Sequence, residues 1–379
     1  MTGFSLSVEA PGAPLHVAAH SHHPWPDASF EGQQQAWRDA ARLLDRKWDH
    51  IFADVIPAAQ GHIARQLGLP DSDTITFGPN THSFVLRLLS CFPAGKPVRI
   101  LTTASEFMSA SRQIARLEED GLVVVTRVPT APFETFEARM AEAAARGGYD
   151  LLFFSQVFFD SSFAVRDVRR IVDAVRDPAA FVVIDGYHGF MARPTDLSGV
   201  ADRAFYLAGG YKYAMAGEGV CFLHCPPGYG MRPRDTGWYA GFETLEGGST
   251  TVSYSDGGAR FFGATFDVSG LYRFNAVQDW LVREGWTVET MLAHVRGIER
   301  VFVEALGSAA CALKPEMLIV PDGAMRGRFL AFRTERAGEI VGALTAKNII
   351  ADYRGDRLRI GFSIYHSESD ALRLVEALA

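Results

Sequence analysis

VVIDGYHGF, residues 182–190, decides the fold: four apolar residues (181–184) run into Asp185, and a glycine follows at once. A short continuous apolar run bounded by a turn signal reads as a strand buried on both faces. The acidic residue then stands at the strand's carboxyl end. The next such run, AFYLA at 204–208, leads through Gly209 and Gly210 into YKYAMAGEGV, which carries Lys212. Working outward, further strand-like runs are Thr74–Phe77, Val98–Thr102, Leu122–Val128, Leu151–Ser155 and Gly219–His224. Helical spacing falls between several of them, at Ser109–Glu119, Phe133–Ala145 and Val165–Val175. Alternation of this kind predicts an α/β fold with a doubly wound, mostly parallel sheet flanked by helices. Such sheets bind ligands beyond the carboxyl ends of their strands, where Asp185 and Lys212 both fall.

The 379 residues suffice for this large domain and a smaller partner. The first 28 residues, rich in Pro, His and Ala, predict an extended arm, and residues 29–67 carry helical spacing through Trp37, Ala41, Leu44 and Trp48. A helical stretch over 271–306 leads out of the sheet. Beyond it Phe329–Arg333, Ile349–Asp352 and Arg357–Phe362 read as strands, with helices near 335–346 and 367–379. The expected division is residues 1–60 as arm and helix packing with the small domain, 61–270 as the large domain and 271–379 as the small α+β domain.

Composition narrows the classes. Hydrophobic residues make up 48% and charged residues 21%, ordinary globular usage that excludes disordered and fibrous chains. A net charge of −7 argues against nucleic acid or an anionic membrane as the main partner. No basic stretch followed by an apolar run opens the sequence, and no apolar run reaches the roughly 18 residues of a membrane span. Cys221 and Cys225 have near-zinc spacing with His224 beside them, yet Cys91 and Cys311 stand alone, so no metal site is expected. Four cysteines in a chain of this size fit a reducing cytoplasm better than a disulfide framework.

The chemistry rests on Asp185 and Lys212. A pyridoxal-phosphate enzyme needs a lysine amine to take the cofactor's aldehyde as a Schiff base. It also needs a carboxylate to keep the pyridine nitrogen protonated. Taken singly, Asp185 reads equally as a helix N-cap and Lys212 as a solvated surface lysine. Gly209, Gly210, Gly217 and Gly219 around the lysine permit close approach of a ligand to the backbone.

YKYAMAGEG at 211–219 together with DGYH at 185–188 resembles the kynureninases, within the class V aminotransferase superfamily of fold type I PLP-dependent enzymes. The resemblance continues through GWY at 237–239, RFFGATF at 260–266 and LRIGFSIYHSESD at 358–370. It implies a homodimer with active sites at the subunit interface, pyridoxal 5′-phosphate as cofactor and an amino acid as substrate. It further implies that Lys212 carries the cofactor and moves protons, that Asp185 meets the pyridine nitrogen, and that His188 contacts the 3-hydroxyl region. Tyr211 would bind phosphate and assist proton transfer, and Phe107, in ASEFMS, would stack on the ring. Asn80 and Thr81, in TFGPNTHSF at a turn into a helix, would hold the phosphate through free amides and a hydroxyl. Trp238 and Thr265 would reach the neighbouring subunit's site. Arg359 would take the substrate α-carboxylate through its planar fork. In HVAAHSHHPWPD at 16–27, Ser21 and His22 are candidate substrate contacts, a surface arm being the alternative.

Three departures from the kynureninase pattern stand out. HSHH at 20–23 replaces an Asn-Ser-Leu-Gly turn. SQVFFDSSF at 155–163 lacks a Ser/Thr-Gly-Gln ending and offers Asp160, Ser161 and Ser162. Ala110 stands where an aspartate is common. The departures leave the cofactor machinery better preserved than the substrate machinery; the resemblance itself implies a hydrolase cleaving the Cβ–Cγ bond of kynurenine or a related β-keto amino acid, giving alanine and an aromatic acid. An aminotransferase, β-lyase or epimerase is the alternative, and a non-catalytic PLP-fold binding protein a further one. Cysteine desulfurase is disfavoured because no Gly-x-His-Cys-type loop precedes Arg359.

Overall fold

The chain enters through a turn-rich segment in which Leu15–His16 forms a short strand, β1. The computed structural model describes residues 3–247 and 251–379. The arm is thus less extended than its composition predicts, and it lies against distant sequence. β1 pairs in parallel with Ile349–Ile350, and Ala18 bridges to Gly361. Helix Asp27–Leu43 packs along helix Ser269–Arg283, a close approach that Gly32 permits by placing no side chain against the Tyr272 backbone. The helical spacing over 29–67 resolves into separate pieces, because a 3₁₀ turn at Leu44–Arg46 and a π turn at Ile51–Val55 interrupt it before helix Ile56–Leu67.

The large sheet contains β2 (Ile75–Gly78), β3 (Val98–Thr103), β4 (Val123–Val128), β5 (Leu151–Ser155), β6 (Phe181–Asp185), β7 (Ala204–Gly209) and β8 (Cys221–His224). Among the described residues its order is β2-β8-β7-β6-β5-β3-β4. Every neighbouring pair is parallel except those of β8, which runs antiparallel to β2 and β7. The expected α/β class with a mostly parallel sheet is therefore what the chain adopts. Strands β5, β6 and β7 are buried at every position, matching their unbroken apolar runs. Register places Ser155 beside Asp185 and Asp185 beside Leu207, so the chemistry-bearing ends of β5, β6 and β7 finish level.

The helical stretch after residue 268 is two helices, Ser269–Arg283 and Val288–Ser308, separated at Gly285, whose φ of 74° ends the first. Three further strands form a small antiparallel sheet: β9 (Leu330–Arg333), and, after the short β10 (Ile349–Ile350), β11 (Asp352–Arg354) and β12 (Arg357–Ile360). The single strand expected at Ile349–Asp352 is split, since residues 349–350 pair with β1 while 352–354 pair with β12. A second hydrophobic core joins Leu15 and Val17 of the arm to Phe302, Leu330, Leu358 and Leu374. The arm is thereby anchored beside the cleft between the large sheet and the small one.

Candidate active site

Lys212 follows β7 in the turn that Gly209 and Gly210 open, and its side chain is buried. The amine sits inside an aromatic cage, 4.5 Å from the Tyr187 ring, 5.2 Å from Phe107 and 5.5 Å from Tyr211. Its Nζ lies 3.4 Å from His188 Nδ1. Burial strips the ammonium of hydration and brings its pKa down to about 7, with Asp185 pulling the other way. A large fraction of the amine is therefore neutral and nucleophilic near pH 7. Asp185, also buried, accepts the Tyr187 amide at 2.9 Å. Burial pushes its carboxyl above the usual range, against that hydrogen bond and the nearby Lys212. His188 is kept neutral by burial and by the positive neighbours Lys212 and Arg359.

Around Lys212 lies a cavity of about 190 Å³ whose walls include Asn80, Thr81, Phe107, Asp185, Tyr211 and His188. At one end, helix Thr81–Ser90 begins; the Asn80 side chain accepts the Ser83 amide at 2.9 Å, and the first amides have no carbonyl of their own turn to bind. A helix of three turns pointing its N-terminus into the cavity favours an anionic group there. The donor set fits a cofactor with an aldehyde, a basic ring nitrogen and a phosphate: the caged amine for the first, Asp185 for the second, the Asn80–Thr81 turn for the third. Phe107 and Phe159, both lining the cavity, meet edge to face, 5.4 Å apart.

The other residues singled out in the sequence fall further away. Arg359 is buried behind Phe159. Its Nη1 donates to the Phe159 carbonyl at 2.8 Å, and Nε donates to Asp352 at 2.9 Å while Nη2 bonds the same carboxylate's other oxygen. His22 stacks on Tyr211 with ring centroids 5.5 Å apart, and Ser21 lies 3.4 Å from the His22 ring nitrogen. Trp238 and Thr265 are hydrogen-bonded to each other at 3.2 Å and do not line the Lys212 cavity.

Sequence reasoning passed over several groups. Glu106, next to Phe107, is buried with its carboxylate accepting from the Thr103 hydroxyl at 2.6 Å and the Ser155 hydroxyl at 2.6 Å. Burial raises its pKa to about 7, opposed by those hydrogen bonds. A glutamate three residues past the end of β3 was the available signal. His82, Ser155 and Cys221 also line the cavity, and His20 donates from the arm to Asp352 at 2.9 Å. Among the described residues no group of three His, Cys, Asp or Glu side chains is placed to hold a metal ion.

Comparison with known proteins agrees with this geometry. Residues 46–313 match the model of the aminotransferase class-V family, and residues 296–378 match that of the kynureninase C-terminal domain. The chain is 26% identical over 362 residues to a kynureninase of Burkholderia pseudomallei, covering 92% of this chain and 81% of that protein. It is 27% identical over 243 residues to isopenicillin N epimerase of Streptomyces clavuligerus, covering 62% of this chain and 58% of that protein. In structure it resembles the cystine C-S lyase C-DES, with a TM-score of 0.79 at 16% identity, covering 98% of this chain and 99% of the other. The cysteine desulfurase CsdA of Escherichia coli gives 0.78 at 17% identity, over 99% and 96%.

Proposed function

The chain belongs to the class V aminotransferase family of pyridoxal-phosphate enzymes, and from that premise we propose that it is a kynureninase-like hydrolase. The observation that carries the finer reading is the match of residues 296–378 to the kynureninase C-terminal domain, a segment that includes Arg359. When bound, pyridoxal phosphate supplies a protonated ring that accepts negative charge from the carbon next to the substrate nitrogen.

The residues divide the remaining work. Asp185 holds the positive ring nitrogen, and its burial makes that pairing strong because little water competes. Lys212 would hold the cofactor through its amine, and an amine whose pKa is about 7 is suited to taking up and giving back a proton at that position. His188, neutral and 3.4 Å from Nζ, keeps the amine oriented. Tyr211 keeps its proton, since burial pushes its pKa up to about 12, and would donate it to the substrate β-carbon as water cleaves the Cβ–Cγ bond, the water's hydroxyl going to the acid product. Phe107 covers the ring, and Asn80 with Thr81 takes the phosphate. Arg359 would take the substrate α-carboxylate, and Ser21 and His22 of the arm, beside Tyr211, would contact the substrate.

A homodimer is part of the same proposal. Trp37 is 77% exposed, and Trp238 and Phe242 stand out beside it on a surface that also carries Thr265; a second copy of the chain would cover these rings. No described helix is long and apolar enough to cross a membrane, and the four cysteines are free thiols, in keeping with a cytoplasmic setting.

The test mixes the loaded protein with L-kynurenine and follows anthranilate fluorescence. Release of anthranilate supports the hydrolase. A normal cofactor band with no product rejects it and leaves the epimerase, aminotransferase and lyase alternatives, of which the epimerase has the 27% identical relative. A protein that takes up no pyridoxal phosphate would reject the enzyme reading as a whole.

A further inference from the structure

Arg357 and Arg359 alternate along β12 and so project from one face of the small sheet, towards the loop that carries Phe159. Each already holds a carboxylate. Arg357 Nη1 donates to Asp160 at 2.6 Å, and Arg359 grips Asp352 with both Nε and Nη2. Asp352 is delivered by the β11–β12 hairpin, where it stands directly across from Arg359. It is steadied from the arm by His20, which stacks on Phe329 with centroids 4.6 Å apart and donates to the same carboxylate. Burial keeps His20 and His188 neutral, so neither adds a cation to this wall. The third arginine nearby, Arg354, lies 3.6 Å from Asp352 and faces outward, while Asp356 sits 3.5 Å from Arg357. The two less exposed arginines, Arg359 and Arg357, are thus paired with Asp352 and Asp160, while the more exposed Arg354 and Arg333 share Asp352 and Asp356 with them.

A guanidinium has five N–H groups. Arg359 gives two to Asp352 and one to the Phe159 carbonyl, which leaves one on each terminal nitrogen. That is enough for a single carboxylate, held by hydrogen bonds from a pair whose charge is already cancelled.

We propose that Asp352 is a specificity-determining residue that selects against amino acids whose side chain carries a second carboxylate. It fixes the Nε/Nη2 edge of Arg359, leaves two N–H groups for the α-carboxylate, and removes the surplus positive charge that a second carboxylate would require. The inference rests on the pyridoxal-phosphate reading above and deepens it by naming the substrate class.

The experiment titrates the loaded protein with two isosteric pairs, glutamine with glutamate and 4-carbamoylphenylalanine with 4-carboxyphenylalanine, reading dissociation constants from the cofactor's absorption. The expected result is that each acidic member binds at least about tenfold more weakly than its neutral isostere, as one unbalanced charge a few ångströms away in a partly buried site requires. Asp352→Asn, which removes the charge and keeps an oxygen for Arg359 and His20, should bring the ratio within about threefold. Equal binding of both members by the unaltered protein would overturn the proposal, and that arm needs no variant. An unchanged ratio in a D352N protein with normal melting and a normal cofactor band would overturn it as well. Should D352N fail to fold, D160N on the outer pair must lower the ratio in the same direction, and no change there counts against the proposal. A spectrum that responds to none of the four compounds would instead remove the amino-acid reading on which the inference stands.

Discussion

Gly186 joins the strand that ends in Asp185 to the turn that holds Tyr187 and His188, and it does so directly over the ring of Tyr206. A methyl group at this position would lie inside that ring, against Cζ and the hydroxyl. Tyr206 cannot move aside freely, because it is fully buried and its hydroxyl donates to Gln156 Oε1 at 2.9 Å. Gly186→Ala therefore forces overpacking worth about 1–3 kcal/mol. Displacing the tyrosine also strands Gln156 without its donor, worth about 1–3 kcal/mol more. A loss of about 2–6 kcal/mol is expected, a large share of the roughly 5–15 kcal/mol that holds a typical domain together. Urea unfolding followed by tryptophan fluorescence measures it. Tyr206→Ala should itself cost about 3–5 kcal/mol by leaving a cavity. In the double variant the new methyl meets empty space, so the two costs should fall short of additivity by at least about 2 kcal/mol. G186A should also retain pyridoxal phosphate poorly, since Asp185 and Tyr187 move with it. Stability of G186A within about 0.5 kcal/mol of the parent, or strict additivity with Y206A, would refute the packing argument.

Acid should loosen the arm: burial lowers the pKa of His20 to about 4 and of His366 to about 3, and holds His23 well below 6.5. The unfolded chain takes up protons first, so this stability is complete above about pH 6.5 and is lost as pH falls towards about 4, at about 3 kcal/mol for His20, with His23 and His366 acting in the same direction; a urea midpoint that stays flat between about pH 6.5 and 4.5 would contradict it. In apo-protein, the reactivity of Lys212 towards an aldehyde should level off above about pH 7 rather than continue to rise towards about pH 10, and Asp185→Asn should move that inflection lower by removing the charge that favours the ammonium. Borohydride should fix cofactor to the parent protein but not to Lys212→Ala, and labelling of the variant would reassign the anchoring lysine.

Much of the large domain was legible because strands buried on both faces leave unbroken apolar runs, and the glycine or polar residue that breaks each run marks its end. Leu151–Ser155 and Phe181–Asp185 are strands over the very residues their runs span for this reason. Lys212 and Asp185 share a cavity because strand ends converge, which topology alone implies. The partner of Arg359 was not legible. It depends on the hairpin register around Gly355 that sets Asp352 opposite the arginine, whereas a run from Ile349 to Asp352 reads as one strand. Glu106 escaped because its role is fixed by hydroxyls on two separate strands, Thr103 and Ser155, which no local spacing reports. His20 escaped for a similar reason, being 332 residues from the carboxylate it contacts.

The same separation governs how the molecule is made. β1 leaves the ribosome early, yet its pairing partner at Ile349–Ile350 emerges only after the whole large sheet. The His16 ring contacts Tyr365, still later in the chain, at 3.0 Å. Closing a loop of this length is slow compared with assembling the sheet. During synthesis the nascent chain therefore passes through a stage in which the strand ends are in place and the cavity stands open on the arm's side. Pairing of β1 with β10 is what then fixes the arm where His22 lies against Tyr211.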